Sequence, residues 1–198
     1  PEFSYLKGKN TYELIKSIET PREWINELAK YCEDRNITFL ASAFDFEAVD
    51  FLDKYVPAFK IASFEITDLE LLKYAAEKGK PMIISTGMAN LSDIEDAINT
   101  IKSVSNDDII LLHCNSLYPT PVEVVNLKAI ETMKNAFKVP VGFSDHTLGI
   151  HIPIAAVAMG AFVIEKHFTL DRNLPGPDHS FAIEPEELKE MVKYIREV

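Results

Sequence analysis

Short apolar runs alternate with amphipathic stretches along most of the chain. Runs rich in β-formers at 38–43, 58–63, 81–86, 109–113, 139–144 and 161–167 are nearly continuous in apolar residues, the pattern of strands buried on both faces of a parallel sheet. Between them, 69–78, 91–103, 126–137 and 152–159 have helical spacing and good helix formers, so the strands are separated by helices. The strand-to-strand interval is roughly 20 to 30 residues, close to the ~30 of a βαβ unit. Ahead of the first strand, Thr20-Pro21-Arg22-Glu23-Trp24 reads as an N-cap with proline at the first helical position and predicts a helix to residue 34. Pro185 predicts the start of a last helix that runs to residue 198.

Six strands, each followed by a helix, allow two architectures. A doubly wound sheet is disfavoured because no GxGxxG turn follows the first strand. A (β/α)8 TIM-type barrel needs eight strands and about 250 residues, so the chain reads as a barrel fragment of about six βα units without the first two strands. The opening helix is then the second helix of the barrel.

Length and composition agree with one α/β domain: 198 residues, 47% of them hydrophobic. A formal net charge of −11 with Lys and Arg scattered singly excludes the basic stripe that nucleic-acid phosphates require. No apolar run approaches the roughly 20 residues that span a bilayer, and no signal-peptide pattern opens the chain, so a cytoplasmic protein is expected. Cys32 and Cys114 lack a CxxC spacing and read as structural or incidental. Pro1-Glu2-Phe3 looks like a translated cloning junction, which leaves 4–198 as the barrel domain.

The chemistry gathers at the strand ends, where a barrel carries its active site. Successive ends hold Ser42 and Asp45; Lys60, Ser63 and Glu65; Ser85 and Thr86; His113, Asn115 and Ser116; Ser144, Asp145 and His146; Glu165, Lys166 and His167. Side chains alternate along a strand, so Glu165 shares a face with His167, and Ser144 with His146. Two histidines and a carboxylate aimed at one centre suit a divalent metal, Mn²⁺ or Mg²⁺ where substrate oxygens complete the shell and Fe²⁺ or Zn²⁺ otherwise. His113 either supports that site or touches it, and His151 and His179 are not expected to be ligands. Lys60 in FKIAS is costly to bury unless it meets an anion, and with the hydroxyls of Ser63, Ser85, Ser116 and Ser144 it reads as a phosphate or carboxylate cradle.

The segments FKIAS, GKPMIISTGMA, LLHCNSLYPTP, VPVGFSDHTLG and VIEKHFTLDRNLPGPDH closely resemble the sialic acid synthase family. Its members condense phosphoenolpyruvate with an N-acylated hexosamine to make nonulosonic acids. The resemblance implies that His146 and His167 hold the metal, Mn²⁺ with Mg²⁺ as the alternative, with Glu165 in direct or water-mediated contact. It implies that Lys60, Ser63, Ser85, Ser116 and Ser144 hold phosphoenolpyruvate, that Tyr118 and Asp178 contact the sugar, and that Glu65 is an active-site acid. Ser42 stands where the family usually has Thr, and Ser116 where some members have Asn. It also implies a homodimer, first strands that bring an acidic residue and a lysine, and a following antifreeze-like domain that sends an arginine to the partner's sugar. A chain without those parts is expected to be inactive by itself.

Two other readings accompany this one, a different metal-dependent barrel aldolase and a non-catalytic sugar-binding module. The sugar itself is divided. KIASFEITD resembles pseudaminic acid synthases, whereas LLHC and PGPDH resemble the N-acetylneuraminate and spore-coat polysaccharide branches.

Overall fold

A computed structural model describes residues 10–198; the expectation for residues 1–3 lies outside them. Two helices come first, α1 (Thr11–Ile18) and α2 (Ile25–Glu33), followed by α3 (Phe46–Leu52) and then the regular alternation. That alternation runs β1 (Phe59–Ile61), α4 (Leu69–Ala76), β2 (Met82–Ser85), α5 (Leu91–Lys102), β3 (Ile109–Cys114), α6 (Lys128–Phe137), β4 (Val141–Asp145), α7 (His151–Ala158), β5 (Ile164–Lys166) and α8 (Pro185–Glu197). The five strands form one parallel sheet in the order β1-β2-β3-β4-β5. Each strand pairs with the next in sequence and the order never reverses. This is the topology of a half-barrel and not of a doubly wound sheet.

The count of six strands is corrected to five among the described residues. The run at 38–43 makes only one bridge, Ser42 to Lys60, with Ala43 N–H donating to the Lys60 carbonyl at 3.3 Å. Among the described residues nothing pairs along its other edge, so no ladder propagates there. The opening helix is corrected as well. Thr20 does not cap it; a 3₁₀ turn at Arg22–Trp24 precedes α2, and Pro21 stands before that turn without a side-chain cap bond. Asp45 is the N-cap of α3, accepting from Ala48 N–H at 2.5 Å and pairing with Arg22, so its carboxylate is used in structure.

The core forms where the strands' outer faces meet the helices. Phe59, Ile61, Met82, Ile84, Leu111 and Phe143 from the sheet pack with Leu71, Leu72, Ile98, Ile101 and Ile130 from the helices. Each such fully buried aliphatic or aromatic side chain contributes about 1.5–3 kcal/mol. Gly142 marks the tightest approach in the sheet, since a Cβ there would lie 2.4 Å from the Val163 carbonyl oxygen and 2.7 Å from Leu112 Cδ2. Only glycine lets β4 and β5 close at this level. Among the described residues no helix is long and apolar enough to cross a membrane.

Candidate active site

At the C-terminal ends of the strands lies a cavity of about 340 Å³, open to solvent and lined by Ser42, Lys60, Ala62, Ser63, Ser85, Cys114, Tyr118, Ser144, His146, Glu165, Lys166 and His167. The sheet register explains why these residues meet. Ser42 stands beside Lys60, while Cys114, Ser144 and Glu165 occupy one rung across β3, β4 and β5. Alternation then turns Lys60, Cys114, Ser144 and Glu165 to the same inner face.

Lys60 dominates the β1 side. Its side chain is only 11% exposed, so the ammonium is held inside and does not extend to solvent. Nζ donates to Ser85 Oγ at 2.9 Å and to the Ile61 carbonyl at 3.1 Å, and Glu165 Oε2 lies 3.6 Å away across the cavity. Ser63 Oγ accepts from Gly87 N–H at 3.1 Å and donates to Cys114 Sγ at 3.6 Å. Burial pushes the Cys114 thiol pKa up, so the sulfur enters the wall as a neutral group. Gly87 is required here because an added Cβ would lie 2.6 Å from Ser116 Oγ and 3.0 Å from both Cys114 Sγ and Ser63 Oγ.

On the β4–β5 side stand the two imidazoles, with ring centroids 5.2 Å apart in edge-to-face arrangement. His146 Nδ1 lies 2.7 Å from the Asn115 carbonyl oxygen. A carbonyl only accepts, so Nδ1 carries the proton and Nε2 keeps its lone pair. Burial lowers the His146 pKa and favours that neutral form. His167 Nδ1 faces Asp178 Oδ2 at 3.4 Å, and the hydrogen bond from His167 holds the Asp178 carboxyl below its usual range. Ser144 Oγ donates to Glu165 Oε1 at 2.6 Å. Tyr118 stacks on His146 at 4.3 Å and approaches His167 at 5.8 Å; burial pushes its hydroxyl pKa up to about 12.

Of the residues singled out in the sequence, Ser42, Lys60, Ser63, Ser85, Tyr118, Ser144, His146, Glu165 and His167 are brought together. Glu65, Ser116 and Asp178 are not part of that wall. Asp178 reaches it through His167. Ser116 Oγ is buried without a hydrogen-bond partner behind Gly87. Glu65 follows Ser63 in a 3₁₀ turn, and burial raises its carboxyl pKa. His113 points away from the cavity, with Nε2 2.7 Å from the Val125 carbonyl, and His179 is held by Thr169 Oγ1 at 2.7 Å. Sequence reasoning overlooked Cys114 as a wall residue, although strand alternation from Leu112 already turned it inward. Phe181 was also missed: it is buried and packs 5.0 Å from the His167 ring, and it lies on no strand that periodicity could reveal.

The donor set bears on metal binding. Among the described residues no group of three or more His, Cys, Asp or Glu forms a metal cluster. The two imidazoles, each with Nδ1 directed at an oxygen acceptor, do fit as a pair of nitrogen ligands whose remaining positions come from elsewhere.

A half-barrel that gathers a buried lysine, hydroxyls, two imidazoles and a carboxylate at its strand ends defines a class, the α/β-barrel proteins with a polar strand-end site. Within it the chain belongs to the NeuB family, whose pattern matches residues 3–198. The N,N'-diacetyllegionaminic acid synthase of Campylobacter jejuni is 48% identical over 189 residues, 94% of this chain and 57% of that protein. The structure of the spore coat polysaccharide biosynthesis protein SpsE from Bacillus subtilis matches with a TM-score of 0.88 at 46% identity, over 96% of this chain and 54% of that chain. The N-acetylneuraminic acid (sialic acid) synthetase of Leptospira borgpetersenii, solved in complex with citrate, matches at 0.90 and 38% identity, over 98% of this chain and 70% of that chain. The chain spans about half the length of the curated relatives it matches.

Proposed function

We propose that the protein containing this chain condenses phosphoenolpyruvate with an N-acylated hexosamine of the N-acetylmannosamine type, giving a nonulosonic acid and inorganic phosphate. The observation that carries this reading is the presence, in one cavity, of a buried cation ringed by hydroxyls and a pair of imidazoles across from it. Relatives named as legionaminic acid and sialic acid synthases support it.

In this reading Lys60 and the hydroxyls of Ser42, Ser63, Ser85 and Ser144 bind the phosphate and carboxylate of phosphoenolpyruvate by charge-assisted hydrogen bonds. The resemblance assigns Ser116 to the same ligand; its hydroxyl stands behind Gly87. Tyr118 and Asp178 flank the open-chain sugar. The reaction forms a bond between C3 of phosphoenolpyruvate and the sugar's aldehyde carbon, adds water at C2 and breaks the C–O bond to phosphate. Holding the two carbons in contact supplies much of the rate. His146 and His167 would hold a divalent metal, Mn²⁺ with Mg²⁺ as the alternative, which polarises the aldehyde oxygen when bound. Glu165 is the better placed of the two candidate acids to hold or move a proton, since it lines the cavity and already takes a hydrogen bond from Ser144, whereas Glu65 lies outside the wall.

The whole protein supplied with phosphoenolpyruvate, N-acetylmannosamine and Mn²⁺ is expected to release inorganic phosphate only when all three are present. Absence of release with every N-acylated hexosamine tried overturns the reading. The partition among legionaminic, pseudaminic and neuraminic products is read from the same assay.

A further inference from the structure

β4 and β5 meet in consecutive register pairs, and the pairs alternate between the two faces of the sheet. Ser144 and Glu165 face each other on the cavity side, with 2.6 Å between Ser144 Oγ and Glu165 Oε1. Asp145 and Lys166 form the next pair, with buried side chains turned to the opposite face although Lys166 also borders the cavity. His146 and His167 follow at once and turn back to the cavity. The middle pair is a buried ion pair: Lys166 Nζ lies 2.6 Å from Asp145 Oδ2, with side chains only 3% and 0% exposed. Both partners also grip the residue after His146. Asp145 Oδ1 accepts from Thr147 N–H at 2.9 Å, and Lys166 Nζ donates to the Thr147 carbonyl at 2.8 Å.

We infer that Asp145 and Lys166 are positioning residues for the two histidines, a clamp on the back of the sheet that sets the distance and ring orientation of His146 relative to His167. The backbone is pinned immediately before and after His146 by the same two charges, while Lys166 stands immediately before His167. Besides the Nζ–Oδ2 contact, two backbone groups are tied to the pair, the N–H and the carbonyl of Thr147, the residue that follows His146. Burying two charges is costly unless their remaining hydrogen-bonding capacity is satisfied, and in this pair the groups that satisfy it belong to the segment carrying His146.

The inference concerns geometry and rests on the metal reading only for its second readout. The first is metal-free: ¹⁵N imidazole shifts of His146 in the whole protein, which report whether Nδ1 or Nε2 holds the proton. Parent protein is expected to show one tautomer, Nδ1–H, because of the Asn115 carbonyl. The double variant Asp145→Leu/Lys166→Met removes both contacts to Thr147 and leaves no unpaired buried charge, and Asp145→Asn/Lys166→Met keeps only an acceptor for Thr147 N–H. In whichever of these folds by circular dichroism, the clamp predicts averaging of the two tautomers. The second readout is Mn²⁺ titration calorimetry, where affinity is expected to fall about 10-fold, as when groups that orient metal-binding histidines are removed. A folded variant with the parent's tautomer spectrum overturns the clamp. If the parent itself takes up no Mn²⁺, the metal reading fails and the imidazole spectra alone decide the clamp.

Discussion

The β1–β2 side and the β4–β5 side of the cavity solve the burial of charge in different ways. On the β1–β2 side one ammonium, Lys60, is held by a hydroxyl and a carbonyl, and the nearest carboxylate stands across the cavity at 3.6 Å. On the β4–β5 side each charge has a close partner, Lys166 with Asp145 and the Asp178 carboxylate with His167 Nδ1. A half-compensated cation can still gain from an incoming anion, whereas a compensated cluster offers neutral nitrogen lone pairs and hydrogen-bond acceptors. In the proposed function the anionic end of a ligand therefore goes to Lys60 and its carbonyl or hydroxyl end to the imidazoles, with Glu165 between the two halves.

The largest effect expected of that division follows removal of both imidazoles. His146→Ala/His167→Ala in the whole protein should lower kcat by about 10³-fold, since a Lewis acid at a carbonyl oxygen is worth several kcal/mol and each ~1.4 kcal/mol is tenfold. The KM for phosphoenolpyruvate should hardly change. Steady-state kinetics with each substrate varied in turn checks this; a rise in that KM comparable to the fall in kcat would merge the two halves into one binding site.

A smaller and opposite signature belongs to Lys60. Lys60→Met removes a charged hydrogen-bond donor worth about 1.5–3 kcal/mol, so the KM for phosphoenolpyruvate should rise by about 10- to 150-fold with the KM for the sugar unchanged. Competition by inorganic phosphate should weaken in parallel. Equal losses for both substrates would mean that Lys60 acts through Glu165 and not on the anion.

The same contrast shows how far the sequence could be read. Strand positions at 58–63, 81–86, 109–113 and 139–144 were legible because strands covered on both faces are apolar throughout, and their inner-face polar residues followed from alternation. The run at 38–43 misled for the same reason: it has the composition of a strand, but pairing is decided by its neighbours, and it makes a single isolated bridge to β1. Helix α1 was overlooked although Asn10 and Glu13 form a reciprocal capping box, a signal readable from the N-x-x-E spacing. Lys60 and the histidines were found from their incongruity among apolar residues. The pairing of Asp145 with Lys166 was not, because alternation assigns a face to each residue and says nothing about which charge across the register answers it. Asp178 and Phe181 lie in an irregular loop, where no period relates sequence to position.

The smallest expected effect separates the inner histidine from the outer one. His113 and His146 are both buried, and burial lowers the pKa of each. For a group whose folded pKa is depressed below the unfolded value near 6.5, the unfolded chain binds more protons as pH falls through the interval between the two values. Stability is therefore greatest above about 6.5 and declines as pH drops to the folded value, by no more than about 1.4 kcal/mol per pH unit for one site. Glu65, raised by burial, acts with the opposite sign, losing stability as pH rises from its unfolded value towards its folded one, so the parent's profile is a sum. His113→Gln isolates one component: the amide nitrogen can still donate to the Val125 carbonyl, and the residue no longer titrates. Urea denaturation at pH 5.5 and 7.5 should show a smaller gain in midpoint for this variant than for the parent. Phosphate release should keep its pH profile, because His113 faces away from the cavity. A shifted activity profile with an unchanged stability profile would place His113 among the groups that govern the cavity and would erase the distinction between the two faces of the sheet.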